Sequence, residues 1–349
     1  MKIAVAMSGG VDSSVAAALL KEEGHEVIGL TMQLRGDVEV ELRQSKTVAE
    51  KLGIPHFITD VRSDFTDLII DDFCREYRQG RTPNPCVRCN KHIKFGGLMD
   101  RARDLGADYM ATGHYARVER DGATSKFRLK KGVDKQKDQS YFLCRLDQDQ
   151  LGHTLFPIGN LTKQEVRKIA GEMDLPVRDR PESQEICFIP ENDYTRFLEE
   201  HDTLPVSPGP ILDTEGRTVG EHAGYHRYTI GQRKGLGIAA AEPLYVTAIE
   251  PERNAVIIGG KEHTYSDELT ATDVHWTAGI PPEYPARLRA RIRYRHPEAE
   301  AVITPAGSSS VHVQFTEPQM AITPGQTVVF YNGESVTGCG TIIKQGNKK

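Results

Sequence analysis

The 349-residue sequence lacks any run of eighteen apolar residues, so no segment is long enough to cross a membrane as a helix. Its first ten residues, MKIAVAMSGG, are too short and too weakly basic for a signal peptide, which predicts a cytoplasmic protein. Because cytoplasmic thiols stay reduced, the six cysteines are expected to serve as chemical groups, metal ligands or core side chains before disulfides. The sequence also has no internal repeat and no low-complexity tract.

The sequence also has no excess of positive charge. The net charge of −5 argues against indiscriminate binding of nucleic acid. The charge is nevertheless uneven, because residues 286–349 contain eight Lys or Arg against four Asp or Glu, whereas the remainder carries a net charge of −9. A polyanionic partner is therefore expected to contact a local patch on the last part of the chain.

The pattern of apolar residues changes along the chain. In the first half, short apolar strands alternate with helical segments, which predicts an α/β domain with a doubly wound parallel sheet and ligands beyond the carboxyl ends of its strands. Beyond about Leu204, Pro, Gly and short alternating runs predict β-strands. We expect a catalytic domain at 1–203, a small β-rich central domain at 204–268 and a C-terminal β-barrel at 269–349.

A glycine-rich loop, SGGVDS at residues 8–13, follows the first predicted strand and precedes a helix. Such a loop can present a nest of backbone N–H groups to an anion. The Walker pattern needs a lysine that reaches the terminal phosphates, and this loop has none. It contains Asp12 instead, and an acidic group beside phosphate is expected mainly where Mg²⁺ bridges the two. A strand-to-helix turn with no ligand is the alternative.

The loop resembles the pyrophosphate loop (PP-loop) of the ATP pyrophosphatase superfamily. Enzymes of that superfamily cleave ATP between the α and β phosphates, adenylate a substrate oxygen and let a nucleophile displace AMP. The resemblance implies ATP and Mg²⁺ as cofactors and a sheet domain like that of the adenine nucleotide alpha hydrolases.

Two of the six cysteines lie outside apolar surroundings, and a third, Cys187, lies between Ile186 and Phe188 with Glu182 and Glu185 nearby. Cys86 and Cys89 occupy a Pro-rich polar loop, and Cys187 lies in PESQEICFIP. A helix start and nearby lysines are expected to lower the pKa of Cys89, whereas local charge gives Cys187 no comparable activation. The remaining cysteines have apolar or glycine neighbours and are expected to be core side chains: Cys74, Cys144 and Cys339.

Six segments, in order and spanning nearly the whole chain, resemble the bacterial tRNA-specific 2-thiouridylases, which put sulfur on the wobble uridine of certain tRNAs. They are AMSGGVDSS, GRTPNPCVRCNKHIKF, ATGHYARV, KDQSYFL, SQEICFIP and HRYTIGQRKGLGI. The resemblance implies adenylation of the uridine C2 oxygen and attack of sulfur at C2. It also implies two partners: tRNA, with the Lys, Glu and Gln isoacceptors expected, and a sulfur donor that is a cysteine desulfurase or a sulfur carrier protein.

The resemblance further implies roles for individual residues. Cys187 would carry sulfur as a persulfide, and Cys89 would be the partner thiol that closes a transient disulfide with it; Asp12 is the third catalytic candidate. The implied ATP-binding residues are Ala6, Met7, Ser8, Gly9, Gly10, Val11, Asp12, Ser13, Met32 and Gly113. The implied tRNA-binding residues are Asn84, Pro85 and Cys86 at the target base, and His114, Lys137, Asp138, Gln139, Arg293, Tyr294 and Gln345 elsewhere.

Two features depart from the family pattern. Asp often stands where this sequence has Cys86, and the stretch between Met32 and Val48 is shorter than usual. Cys86-x-x-Cys89 together with Cys187 could hold an iron–sulfur cluster with one open iron, or a zinc ion. A cluster could then deliver sulfur without a persulfide, although a pair plus a distant third cysteine is a weak ligand pattern.

The segment ARLRARIRYRHP has arginine at every second position: Arg287, Arg289, Arg291, Arg293 and Arg295. In a strand, all five would share one face. A face of one charge sign suits contact with a phosphate backbone, whereas a solvated face with salt-bridge partners is the alternative.

Two other functions remain possible at this point. A ligase of the same superfamily that acts on a small molecule would use ammonia or an amine as nucleophile and need no essential cysteines. A non-catalytic tRNA-binding module would have no use for the intact SGGVDS loop.

Overall fold

The computed structural model describes residues 1–36, 39–180, 186–201 and 207–345, with the backbone alone at 39, 344 and 345. Its first domain is built on a parallel five-stranded sheet, and a separate hairpin projects from it. The strands of this region are β1 (Lys2–Ala6), β2 (Glu26–Gln33), β3 (His56–Asp60), β4 (Tyr109–Thr112), β5 (Ala116–Arg120), β6 (Phe127–Lys131) and β7 (Thr154–Leu155).

Helices cover this sheet. Two π-helical segments, Thr66–Ile70 and Cys89–Gly97, join α3 to α4 and α5 to α6. The helices are α1 (Val11–Glu22), α2 (Glu39–Leu52), α3 (Arg62–Phe65), α4 (Asp71–Arg78), α5 (Pro85–Arg88), α6 (Leu98–Asp104), α7 (Gln148–Gly152), α8 (Lys163–Glu172) and α9 (Tyr194–His201). None of the described helices is long and apolar enough to cross a membrane.

The parallel sheet has the order β3-β2-β1-β4-β7, which confirms the predicted doubly wound fold. Both faces of its central strand β1 are buried: Ile3 and Val5 pack with Leu20 of α1, and Ala4 packs with Leu98 of α6. This two-sided burial explains why β1 reads as a continuous apolar run. Because β1 is followed by β2 on one side while β4 lies on the other, the strand order reverses beside β1, and such a point is where ligands bind.

The central domain is a small four-stranded sheet with the order β10-β11-β8-β9. Its strands are β8 (Gly209–Leu212), β9 (Thr218–His222), β10 (Tyr245–Glu250) and β11 (Ala255–Gly259).

The C-terminal domain is a β-barrel, as predicted, and it is closed and antiparallel with six strands. Its strands are β12 (Tyr265–Trp276), β13 (Ala286–Arg291), β14 (Ala299–Pro305), β15 (Val311–Met320), β16 (Thr327–Asn332) and β17 (Ser335–Gln345). Pairing of β12 with β17 closes the barrel, and the β5–β6 hairpin of the first domain adds to β17. Strand β12 begins at Tyr265, so it spans the boundary expected between 268 and 269.

The barrel and the first domain share one hydrophobic core. Tyr141 donates a hydrogen bond of 2.7 Å to the Thr327 carbonyl across this contact, and the Cys339 thiol lies 3.4 Å from the Cys144 carbonyl. Cys339 and Cys144 are fully buried and Cys74 nearly so, which confirms that these three cysteines are core side chains.

Candidate active site

The glycine-rich loop lies where the strand order reverses, between β1 and α1. Gly9 has a φ of +69°, a conformation that favours glycine. The Ser8 backbone N–H donates to Ser13 Oγ (3.2 Å), and Ser14 Oγ donates to the Gly10 carbonyl (2.7 Å). These bonds tie the loop to the first turn of α1, so its backbone N–H groups are held in place before any ligand arrives.

Gly113 follows β4 and contacts this loop directly. A Cβ atom built on Gly113 would lie 2.5 Å from the Ser13 nitrogen, closer than any real contact. Met32 is near the carboxyl end of the neighbouring strand β2 and is partly buried. The structure therefore brings Ala6 to Ser13, Met32 and Gly113 to the same edge of the sheet.

Asp12 has partners that the sequence did not reveal. Lys163, the first residue of α8, places its Nζ 2.7 Å from Asp12 Oδ1 and 2.9 Å from Oδ2. The Tyr115 hydroxyl also donates to Asp12 Oδ1, at 2.8 Å. Lys163 lies 151 residues from Asp12 in the chain, and no local pattern connects the two. A capping box of Thr162 and Glu165 fixes the start of that helix, but it gives no indication that Lys163 contacts Asp12.

Arg180 connects the loop to the chain that leads toward Cys187. Its Nη1 donates to the Gly9 carbonyl at 2.7 Å, and its Nη2 lies 3.6 Å from Glu41 Oε1. Because the acceptor on the loop is a carbonyl, this contact leaves the loop's N–H groups available.

The three candidate thiols differ in exposure. Cys86 lies on the short helix α5 and is half-buried, Cys89 begins the π-helical segment and is 8% exposed, and Cys187 is exposed. Burial raises the pKa of Cys86 to about 11 and that of Cys89 to about 12. The pKa of Cys187 is also raised by desolvation, with Lys94 and Arg35 acting in the opposite direction.

The lowered pKa expected for Cys89 is therefore wrong. Lys94 does stabilise its thiolate, but desolvation of the buried sulfur is the larger effect. Negative charge on Cys187 would raise the pKa of both Cys86 and Cys89, which shows that the three thiols lie in one electrostatic environment. Within the described ranges, no group of three His, Cys, Asp or Glu side chains is placed to hold a metal ion.

The residues expected at the target base lie beside these thiols. Pro85 is buried at the start of α5, and the Asn84 side chain hydrogen-bonds to Tyr141. His114 packs between Phe95 and Phe156, with ring-centroid distances of 6.1 and 6.0 Å. Burial and nearby Lys94 hold the pKa of His114 well below its usual value, so its imidazole is neutral at pH 7.

Two of the three residues at 137–139 form hydrogen bonds within the protein through their side chains. The buried Asp138 carboxylate accepts hydrogen bonds from the Gly132 and Ser140 backbone N–H groups, at 3.2 and 3.1 Å. Gln139 Oε1 accepts from the Tyr115 backbone N–H at 3.0 Å. Lys137 is half-buried. Contact of these residues with tRNA stays a prediction.

The five arginines do not form one face. Strand β13 ends at Arg291, whose guanidinium contacts Glu298 (2.7 Å) and buried Asp138 (3.4 Å). Arg293 turns inward and donates to the Ile230 carbonyl (2.9 Å) and to Thr323. Arginine continues to alternate with other residue types after Arg291, but the extended strand ends there. The prediction that all five arginines share one face is therefore wrong. The exposed members are Arg287, Arg289 and Arg295.

The other barrel residues expected to contact tRNA have different surroundings. Tyr294 is partly buried, with its ring 4.3 Å from that of Phe142 between centroids. Gln345 is the last residue of β17, and its side chain lies outside the described residues.

Comparison with known proteins matches family models along almost the whole chain. Residues 1–191 match a model described as a tRNA methyl transferase HUP domain, residues 195–260 a tRNA methyl transferase PRC-barrel domain, and residues 266–342 an aminomethyltransferase β-barrel domain.

Curated relatives match the full length. The tRNA-specific 2-thiouridylase MnmA of Geotalea uraniireducens is 50% identical, covering 100% of this chain and 96% of the relative. The enzyme of the same name from Symbiobacterium thermophilum is 48% identical, with 99% and 93% covered. MnmA 1 of Caldanaerobacter subterraneus subsp. tengcongensis is 49% identical, with 99% and 98% covered.

Proposed function

We propose a mechanism for this chain from one premise: it belongs to the tRNA-specific 2-thiouridylase family. It is a tRNA-uridine 2-sulfurtransferase that uses ATP to replace the C2 oxygen of the wobble uridine with sulfur. This activity is favoured over the two alternative functions, a small-molecule ligase and a non-catalytic binding module. We further propose that its substrates are the tRNAs for Lys, Glu and Gln.

The first step activates the uridine. The C2 carbonyl is a poor electrophile, and its oxygen is a poor leaving group. ATP bound at residues 6–13, with Met32 and Gly113, would present its α phosphorus to the uridine O2, which displaces pyrophosphate and leaves C2 bonded to AMP through oxygen. The hydrogen bonds that fix the loop to the first turn of α1, and the tight approach of Gly113, support this placement of ATP.

Mg²⁺ is the ion proposed to accompany ATP. It draws most of its ligands from phosphate oxygens and water, so one carboxylate, Asp12, suffices as the contribution of the chain. Asp12 lies on the loop and is 33% exposed, which fits that role. The bound ion would spread the negative charge of the polyphosphate and favour departure of pyrophosphate.

The second step transfers sulfur. The donor, a cysteine desulfurase or a sulfur carrier protein, would leave a persulfide on Cys187, the exposed thiol. The terminal sulfur attacks C2, the C2–O bond breaks, and AMP leaves with the bonding pair. The Cys89 thiolate then attacks Cys187 Sγ, the S–S bond to the transferred sulfur breaks, and that sulfur keeps the electrons as the new thiocarbonyl. A disulfide between Cys89 and Cys187 remains, which a two-electron thiol reductant must open.

The contrast in exposure is the single observation that carries these roles. A sulfur-accepting thiol must be reached by another protein, and Cys187 is the exposed one; a resolving thiol must be kept from side reactions, and Cys89 is 8% exposed. The raised pKa of each thiol keeps it protonated and unreactive at rest. Lys94, which stabilises charge on both, is the group proposed to favour the thiolate during transfer.

The iron–sulfur alternative does not fit the structure as well. A cluster needs its three protein thiolates assembled, and Cys86, Cys89 and Cys187 do not form a ligand set in this arrangement. We therefore propose that Cys86 lies beside the target base, with Asn84 and Pro85, and holds no metal.

Replacing Cys86 tests this proposal. Since Asp often stands at this position in the family, Cys86→Asp in metal-free protein is expected to keep 2-thiouridine formation within about tenfold of the wild type, which is the scale of a single weak contact. The assay supplies an unmodified tRNA transcript, ATP, Mg²⁺ and a persulfide donor under anaerobic conditions. Activity that appears only after cluster reconstitution, and vanishes in Cys86→Asp, would establish the cluster instead.

The tRNA is proposed to contact the exposed arginines of the barrel. Replacing Arg287 and Arg295 together by Gln is expected to weaken tRNA binding and to lower the slope of log affinity against log salt by about 1 for each phosphate that is no longer neutralised. Filter binding at several salt concentrations measures both. Arg291→Gln is the matched control: because Arg291 is paired with Glu298, its loss is expected to lower the melting temperature and to leave the salt slope unchanged. An unchanged slope in the double variant would place the tRNA elsewhere.

A further inference from the structure

We infer that Lys163 is a positioning residue of the proposed ATP site: its ammonium neutralises Asp12 so that the glycine-rich loop can accept a polyphosphate. The inference rests on the proposed function, because it takes ATP to lie on this loop. The loop SGGVDS has an acidic residue and no lysine, so the positive charge that offsets Asp12 must come from another part of the chain.

The contact between Lys163 and Asp12 is closely defined. The ammonium reaches both carboxylate oxygens, at 2.7 and 2.9 Å, and the Tyr115 hydroxyl gives one of them a second donor. The side chain of Lys163 is 11% exposed and that of Asp12 is 33% exposed. A pair of this kind is screened by solvent much less than an ion pair on the surface.

The position of Lys163 opposes ordinary helix electrostatics. It is the first residue of α8, and the amino end of a helix favours negative rather than positive side chains. A buried ammonium is also costly unless an anion compensates it. The helix start is nevertheless fixed firmly, by the capping box of Thr162 and Glu165 and by a 2.9 Å bond from the Lys163 backbone N–H to Asp134. Asp12 is the compensating anion, and the fixed helix start places the Lys163 ammonium next to it.

The consequence for ATP follows from the charges. Without Lys163 and without Mg²⁺, the Asp12 carboxylate would keep the Tyr115 hydroxyl but lose its counter-charge, and it would repel phosphates bound at the nearby loop glycines. With Lys163, the pair adds no net charge to the loop, and the backbone N–H groups together with the Arg180 guanidinium determine the local field. Loss of the ammonium should therefore weaken polyphosphate binding by a factor on the order of 10 to 100, the range for one unit charge near a protein surface.

A double-variant experiment tests this inference. Binding of α,β-methylene-ATP, which cannot be cleaved between its α and β phosphates, is measured by titration calorimetry without metal and without tRNA. Lys163→Met is expected to weaken binding about 10- to 100-fold. Adding Asp12→Asn to that variant is expected to restore most of the affinity, because the uncompensated carboxylate is gone. Lys163→Arg, which keeps the charge, should bind nearly as well as the wild type.

The controls separate this inference from the ATP site itself. Lys168 lies on the same helix at a well-exposed position and pairs with Glu172 one turn further along. The Lys168→Met variant should therefore bind the nucleotide like the wild type. If Lys163→Met binds normally, or if the double variant stays as weak as the single one, the inference is overturned; Lys163→Gln replaces the Met variant if that one does not fold. If Gly113→Ala also binds normally, the proposed location of ATP is wrong instead.

Discussion

Cys187→Ser is expected to abolish 2-thiouridine formation, by at least about 10³-fold, while tRNA-dependent release of pyrophosphate from ATP continues. The hydroxyl cannot accept persulfide sulfur, but the loop and Gly113 that would bind ATP remain untouched. Cys89→Ser is expected to differ in one respect. Cys187 of this variant can still accept sulfur from the donor, so the variant should accumulate the Cys187 persulfide or a covalent adduct with tRNA. Mass spectrometry of the intact protein detects either product.

Cys74→Ala is the matched control for loss of a thiol. It removes a buried thiol from the hydrophobic cluster that also contains Cys89, so it reproduces a loss of packing without the loss of a proposed reactive thiol. It should lower stability while leaving the ratio of thiolation to pyrophosphate release unchanged. Full thiolation by Cys187→Ser from a persulfide donor would show that this residue carries no sulfur. Loss of pyrophosphate release together with thiolation would show that Cys187 also serves the adenylation step.

Gly113→Ala is expected to lower ATP-dependent activity about 10²-fold, the cost of displacing a catalytic group by about 1 Å. The added Cβ would lie 2.5 Å from the Ser13 nitrogen and 2.6 Å from the Asp12 carbonyl carbon. Both are backbone atoms, so the clash cannot be relieved by rotation of a side chain. The loop and the first turn of α1 must move, and the preset N–H groups move with them.

Pyrophosphate release and thiolation should fall in parallel in Gly113→Ala, since both depend on the adenylate. Gly122→Ala is the control, because nothing lies within 4 Å of a Cβ atom built there. It changes the same residue type in the turn between β5 and β6 and should have wild-type activity. A Gly113→Ala enzyme as active as this control would mean that ATP does not depend on the position of the loop.

The architecture was largely predictable because it depends on short-range patterns. Strand and helix alternation in the first half and short strands after Leu204 correctly predicted the parallel sheet and the barrel. The loop sequence SGGVDS marked the edge of the sheet at which ligands bind. Each of these features is carried by neighbouring residues, whose spacing sets the faces of helices and strands.

Features that depend on distant contacts were missed or wrong. The sequence placed Cys89 near lysines, but its pKa depends on burial by chain segments far away in sequence. The arginines at 287–295 alternate in type, but Arg291 and Arg293 find internal partners, and β13 stops between them. Nothing near Lys163 in the sequence points to Asp12, which lies 151 residues away. In each case a contact with a distant segment, or the loss of solvent, outweighed the local pattern.

The shared core of the first domain and the barrel has a consequence for biosynthesis. Strand β6 of the early-made β5–β6 hairpin pairs with β17, the last of the described strands along the chain. The loop before the candidate thiols is held in the same way, because Gln326 Nε2 donates to the Thr82 carbonyl at 2.8 Å. On the ribosome, the surroundings of Cys86 and Cys89 therefore stay unfinished until the barrel has emerged. A chain released before the barrel is made would have its nucleotide loop but no completed thiol site, so synthesis of the barrel must precede the coupling of adenylation to sulfur transfer.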